Sequence, residues 1–107
     1  MKPAMFFLLV SLAAGDRHGY ALRKDVAARS HGQVRLGPAS LYRAIATLVE
    51  DGLIAESSRR PAAELDDERR RYFTITDRGR RKLVAEARRL EALVAESRAK
   101  KLLTKRG

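Results

Sequence analysis

The run AMFFLLVSLAA, residues 4–14, constrains this chain more than any other stretch. It is apolar almost throughout, so it must be hidden from water. It is too short to span a bilayer, which takes about 20 apolar residues. With Lys2 ahead of it and small residues after it, the run has the outline of a short signal peptide. The alternative is a buried first helix. The chain has 107 residues, enough for one domain, or a small domain with an arm, and a domain of that size buries limited surface. Cleaving the run would remove a large part of the apolar residues, and a single lysine is a thin positive region. The run is therefore read as a core helix over residues 3–14, with Pro3 in its first turn.

Charge narrows the partners. Lys and Arg number 23 against 13 acidic residues, for a net charge of +10. That balance favours polyanions, nucleic acid first and an anionic membrane second. The absence of cysteine excludes disulfides and thiolate metal sites and fits a reducing cytoplasm. With only His18 and His31 besides, no structural zinc is expected. No Gly-rich phosphate loop, nucleophile elbow or paired histidine ligands are present, so neither an enzyme nor a bound cofactor is expected. His18 stands before Gly19-Tyr20 at a helix start, where a structural or phosphate-contacting role is more natural than catalysis. His31 reads as a surface residue near a helix end.

Residues 18–29 read as a second helix, with Ala21, Leu22 and Val26 in a narrow apolar stripe and Arg23, Lys24 and Arg29 outside it. Ser30-His31-Gly32 ends it, Gly32 being suited to a left-handed cap. Val34 and Leu36, with Arg35 between them, are expected to make a very short strand. Pro38 opens a third helix, whose Leu41, Ala44, Ile45, Leu48 and Val49 form one apolar stripe, and Gly52 ends it. Leu53–Glu56 and Arg71–Ile75 read as strands, the second rich in β-branched and aromatic residues. Between them SSRRPAAELDDERR, residues 57–70, is a long polar hairpin loop. Thr76 caps a last helix, with Asp77 favourable in its first turn, running from 77 to about 103.

Helix, helix, turn, helix, hairpin and long helix, in that order, make a winged helix-turn-helix. The fold class is mainly α with a small β-hairpin (α+β). Residues 1–76 would form the DNA-binding domain and 77–107 a C-terminal dimerisation helix with a basic tail.

In such a fold the second helix of the pair enters the major groove while the first crosses the backbone. Ala39 and Ser40 are small enough for close approach, and Arg43 offers a bidentate donor pair to guanine. Ser40, Tyr42 and Thr47 can donate to phosphates or bases, and the positive helix end at 38–40 favours a phosphate. His18, Tyr20 and Lys24 join them from the start of helix two. In the hairpin, Arg59 and Arg60 on one arm and Arg69, Arg70 and Arg71 on the other can neutralise phosphates or enter a minor groove. Glu64, Asp66, Asp67 and Glu68 at the tip would be repelled by DNA, so the tip bends away or pairs with those arginines. These acids lack the glycine and spacing of a calcium loop and read as solvated.

The last helix carries Leu83, Ala87, Leu90, Val94 and Ser97 at 4-3-4-3 spacing, a short heptad-like seam with Leu93 beside it. Bare on a monomer, it would be an unusual apolar patch. A homodimer is expected through Leu83, Ala87, Leu90, Leu93 and Val94, with Phe6 or Phe7 nearby. The alternative is that the helix folds back on its own domain.

HGYALRKDV at 18–26, LYRAIATLVEDGLI at 41–54 and RRRYFTITDRGRRKL at 69–83 together resemble the PadR-like transcriptional regulators. The likeness covers most of residues 5–83 and rests on the ordered set of motifs. It implies a dimeric winged-helix repressor, with the C-terminal helix making much of the dimer, Tyr42 at the DNA face and the wing on the backbone. The family often has proline after that tyrosine; Arg43 stands here instead, so no operator carries over. The single C-terminal helix resembles the compact subgroup. Some relatives release DNA when a small aromatic molecule enters the dimer interface, which leaves room for a small-molecule effector. With no Trp, three Tyr and three Phe, the sequence marks no stacking pocket for one.

The expected function is sequence-specific regulation of transcription in the cytoplasm, on double-stranded DNA and away from membranes. Two rivals belong to other classes. One is a winged helix used for contact with an acidic protein. The other is a cationic secreted or membrane-surface protein, which requires residues 4–14 to be a cleaved signal.

Overall fold

A computed structural model describes residues 1–57 and 71–101. The apolar run is helix α1, Pro3–Ala14, with Leu8, Leu9 and Leu12 sealed from solvent. It packs against α2 (Gly19–Arg29), against the C-terminal helix α4 (Asp77–Ala99) and against the small sheet. Helix α3, Pro38–Glu50, adds Leu41, Ala44, Ile45 and Leu48 to the same core. Gly37 precedes Pro38 as N-cap, and Gly52 takes a left-handed φ of 76° where the chain turns out of α3.

The hairpin strands are β2, Ile54–Ser57, and β3, Tyr72–Ile75, paired antiparallel with Ile54 opposite Ile75. The sheet has a third strand, β1, Arg17–His18, on the other edge of β3 with His18 opposite Tyr72. Central β3 therefore buries Phe73 completely. A strand of two residues is too short to show alternation, which is why the sequence presents it as a break and a helix start.

The short strand expected at Val34–Leu36 does not form. The Ser30 hydroxyl accepts the Val34 N–H (2.9 Å), so a side chain rather than a neighbouring strand satisfies that backbone group. Val34 and Leu36 still lean on the core. Val49 also departs from its expected place: lying about 100° around the helix from Leu48, it leaves the buried stripe and is 42% exposed.

Thr76 locks α4 to the α3–β2 turn. Its N–H donates to the Leu53 carbonyl (3.0 Å), its hydroxyl donates to the Gly52 carbonyl (2.7 Å), and the same oxygen accepts the Gly79 N–H (3.0 Å). The expected cap is thus also a tertiary clamp. Further along, Glu86 takes two hydrogen bonds from Arg89 (3.0 and 2.9 Å) and faces the Met1 amino group at 3.8 Å. Arg89 holds its carboxyl below the usual range.

Asp25 ties α2 to β1, hydrogen-bonded to Arg29 and 3.7 Å from Arg17. Partial burial opposes its ionisation. The Ser11 hydroxyl, the Arg29 hydrogen bond and the charges of Arg17 and Arg29 outweigh this, so its pKa lies below the ordinary value. Ser11 Oγ is buried and reaches no partner at full hydrogen-bond geometry. A carboxylate depressed in the folded state stabilises fully above its unfolded pKa of about 3.9, and that stabilisation fades as pH falls through the folded value. Asp25→Asn should therefore lower the urea midpoint at pH 7 and make the loss of stability below about pH 4 shallower. Urea titrations at pH 7 and pH 3 check both.

Candidate nucleic-acid interface

The buried stripe of α3 turns Ala39, Ser40, Tyr42, Arg43 and Thr47 outward, and all five are exposed. Arg43 reaches the Ser40 hydroxyl at 3.5 Å and pairs with no acid among the described residues. The Thr47 hydroxyl donates to the Arg43 carbonyl (3.1 Å) and is engaged within the helix. No side chain caps the start of α3 and no acid lies in its first turn, so its positive end stays open to an anion.

Tyr42 has a second role that the sequence does not advertise. A Cβ on Gly19 would sit 2.5 Å from the Tyr42 hydroxyl oxygen, so the tyrosine ring lies on the bare backbone at the start of α2. Glycine at that position lets the two helices of the pair close together while Tyr42 remains about half exposed. The one signal available was a glycine in the first position of a helix.

His18, Tyr20 and Lys24 form a connected array. The His18 Nδ1 caps α2 by accepting the Ala21 N–H (3.2 Å), which gives this residue a structural task. Its ring stacks parallel to Tyr20 at 6.5 Å and meets Tyr72 edge-on at 5.3 Å. The Lys24 ammonium sits 5.5 Å from the centre of the Tyr20 ring, a cation–π contact on the outer face.

Of the hairpin arginines, Arg71 stands at the base of the wing. It is 3.1 Å from Glu56 on β2, and its guanidinium lies 5.4 Å from the centre of the Phe73 ring. The ion pair is well exposed on both sides, and such pairs contribute at most about 1 kcal/mol, so a phosphate can compete for the arginine. Arg71 and Tyr42 line a shallow groove together with Ile45, Ala46, Val49 and Glu50. Arg59, Arg60, Arg69 and Arg70 lie outside the described residues, as does the acidic loop tip.

The family model described as "Transcriptional regulator PadR-like family" matches residues 8–85. The chain belongs to the PadR-like family of transcriptional regulators. Its PadR-like fold resembles a transcriptional regulator from Clostridium thermocellum (22% identity over 94% of this chain and 90% of that one, TM-score 0.69). It is also similar to a PadR family transcription regulator from Clostridium difficile R20291 (18%, 92% and 97%, TM-score 0.73). A third likeness is to F93 from STIV, a winged-helix DNA-binding protein (16%, 88% and 94%, TM-score 0.70). No curated protein is matched by the sequence. Family and fold together assign this PadR-like protein to DNA-binding regulation of transcription.

The PadR-like fold also gathers Arg35, expected in a strand, with two basic residues of α2. Arg35, Arg23 and Lys24 line a shallow concavity with Ala27 and Leu36, just ahead of α3. The signal was there in Val34-Arg35-Leu36: two apolar residues leaning on the core leave the one between them outside.

Along the seam of α4, Leu83 is half-buried against the protein's own core, Leu90 is half-buried, Ala87 is exposed, and Leu93 and Val94 are 46% and 41% exposed. Phe7 packs on the core, and Phe6 meets its ring edge-on at 6.4 Å. Leu83 thus faces the protein's own core, while Leu93 and Val94 are bare. Among the described residues, no helix is long and apolar enough to cross a membrane, and no group of His, Asp and Glu is placed to hold a metal ion.

Proposed function

We propose that this PadR-like chain is a cytoplasmic homodimeric repressor that reads a roughly palindromic operator. Residues 1–76 bind DNA, and residues 77–107 supply the dimer helix and a basic tail. The observation that carries the reading is the exposed face of α3, where Arg43 projects without an acidic partner among the described residues, between the small residues Ala39, Ser40 and Ala46. Ala39, Ser40, Tyr42, Arg43 and Thr47 face the major groove. His18, Tyr20, Lys24 and Arg71 face the backbone, and Arg59, Arg60, Arg69 and Arg70 belong to the same proposed set of phosphate contacts. The bare turns of α4 at Leu93 and Val94 support pairing with a second copy, with Ala87, Leu90, Leu83 and the Phe6–Phe7 pair at the margin.

Two-fold pairing sets half-sites about 34 Å apart on one face of the duplex. Selection of bound fragments from random duplex DNA should therefore enrich an inverted repeat. Arg43→Ala should relax the preference at one position per half-site and cost about 1–3 kcal/mol of specific binding. Arg71→Ala should weaken all sequences alike and lower the salt dependence by about one counterion. Selection that enriches no motif, or an unaltered motif with Arg43→Ala, would count against the assignment.

A further inference from the structure

The exposed face of α3 changes chemistry along its length. The inward direction is set by Leu41, Ala44, Ile45 and Leu48. With 3.6 residues per turn, the file opposite to it is Ala39, Arg43, Ala46 and Glu50. Its first turns offer hydrogen-bond donors, Ser40 and Arg43. One turn later the donors run out. Ala46 is exposed with only a methyl group, Val49 is exposed beside it, and the neighbouring Thr47 has turned its hydroxyl back to the Arg43 carbonyl. Ala46 and Val49 line one groove with Arg71 and Glu50, and Arg71 is the group there that can pair with a phosphate flanking a base edge. Glu50 closes the file with a charge that phosphates repel, so the usable reading surface ends at Ala46.

In the major groove the one apolar group on a base edge is the C5-methyl of thymine. We infer that Ala46 is a specificity-determining residue whose methyl group packs on the C5-methyl of a thymine. The rise of about 1.5 Å per residue puts Ala46 about 4.5 Å beyond Arg43 along the helix, against about 3.4 Å per base pair. The thymine therefore lies one or two base pairs from the base taken by Arg43, in each half-site. Alanine suits this contact on two counts: its methyl is apolar, and it is short enough to leave the helix backbone close to the base. The inference rests on α3 entering the major groove, as proposed above.

The test uses the full chain and duplexes carrying its selected site. Each thymine is replaced singly by deoxyuridine, which removes one methyl and keeps every hydrogen-bonding group. One thymine per half-site should be sensitive, with affinity falling about fourfold for one methyl and about fifteenfold when both half-sites are changed. In Ala46→Gly that difference between thymine and uracil should vanish. Ala46→Ser, which keeps a better helix former at the position, should abolish it as well and shift the base selected there. Arg43→Ala should keep the methyl sensitivity while losing the neighbouring preference. A selected site with no methyl-sensitive thymine, or one whose sensitivity survives both Ala46 variants, overturns the inference and leaves the regulator reading standing. Failure to select any site overturns the regulator reading, and this inference with it.

Discussion

Gly79→Ala should melt roughly 12 °C below the wild type. Gly79 is buried in the first turn of α4, where its N–H is held by Thr76. A Cβ there would overlap the Leu53 carbonyl oxygen and come within 2.8 Å of the Ile75 side chain. The obstacle on one side is backbone, and that backbone is itself fixed by the hydrogen bond from Thr76 to Leu53, so rotamer adjustment cannot relieve the clash. Overpacking of this kind costs on the order of 3 kcal/mol, and each kcal/mol moves the midpoint of a domain of this size by about 4 °C. Thermal unfolding followed by circular dichroism at one fixed protein concentration measures it, since any self-association makes the midpoint depend on concentration. The conservative comparison is Gly52→Ala. The space there is open apart from an Arg78 methylene at 3.7 Å, and the cost is only the left-handed backbone, about 1 kcal/mol.

The largest effect on function is expected from the far end of α4. Leu93→Glu combined with Val94→Glu should give a folded monomer that binds the selected operator 100-fold or more weakly, because joining two half-site contacts raises affinity by about 10²–10⁴. Both side chains are more than two-fifths exposed, so the folded protomer loses little by the change. Sedimentation velocity reads the assembly, and fluorescence anisotropy on duplexes with one or two half-sites reads the binding. A protein that stays dimeric, or a monomer that holds the full site as tightly as the wild type, would remove Leu93 and Val94 from the interface.

Much of this fold is legible along the chain because its signals are local. Pro3, Pro38 and Thr76 start helices at the positions where a missing N–H or a hydroxyl acceptor is useful, and Gly52 ends one with the positive φ that glycine tolerates. The apolar run at 4–14 has the length and pattern of a core helix, and α1 buries its leucines; the order of the elements is that of a winged helix. What the chain conceals is pairwise. Strand β1 is two residues long and exists because β3 offers it a partner. The groove shared by Tyr42 and Arg71 joins residues far apart in sequence. Arg35 becomes part of a basic concavity only when α2 and the turn before α3 are folded against each other.

The sequence by itself determined which helices exist, where they begin and which stripe of each is apolar, since backbone geometry and hydrogen-bonding groups act over three or four neighbouring residues. The tertiary structure alone decided that Tyr42 rests on Gly19, that Gly79 has no room for a side chain, and which part of the α4 seam is already spent on the protein's own core. Those are facts about distances between segments, and such distances are fixed by packing, which no local pattern records.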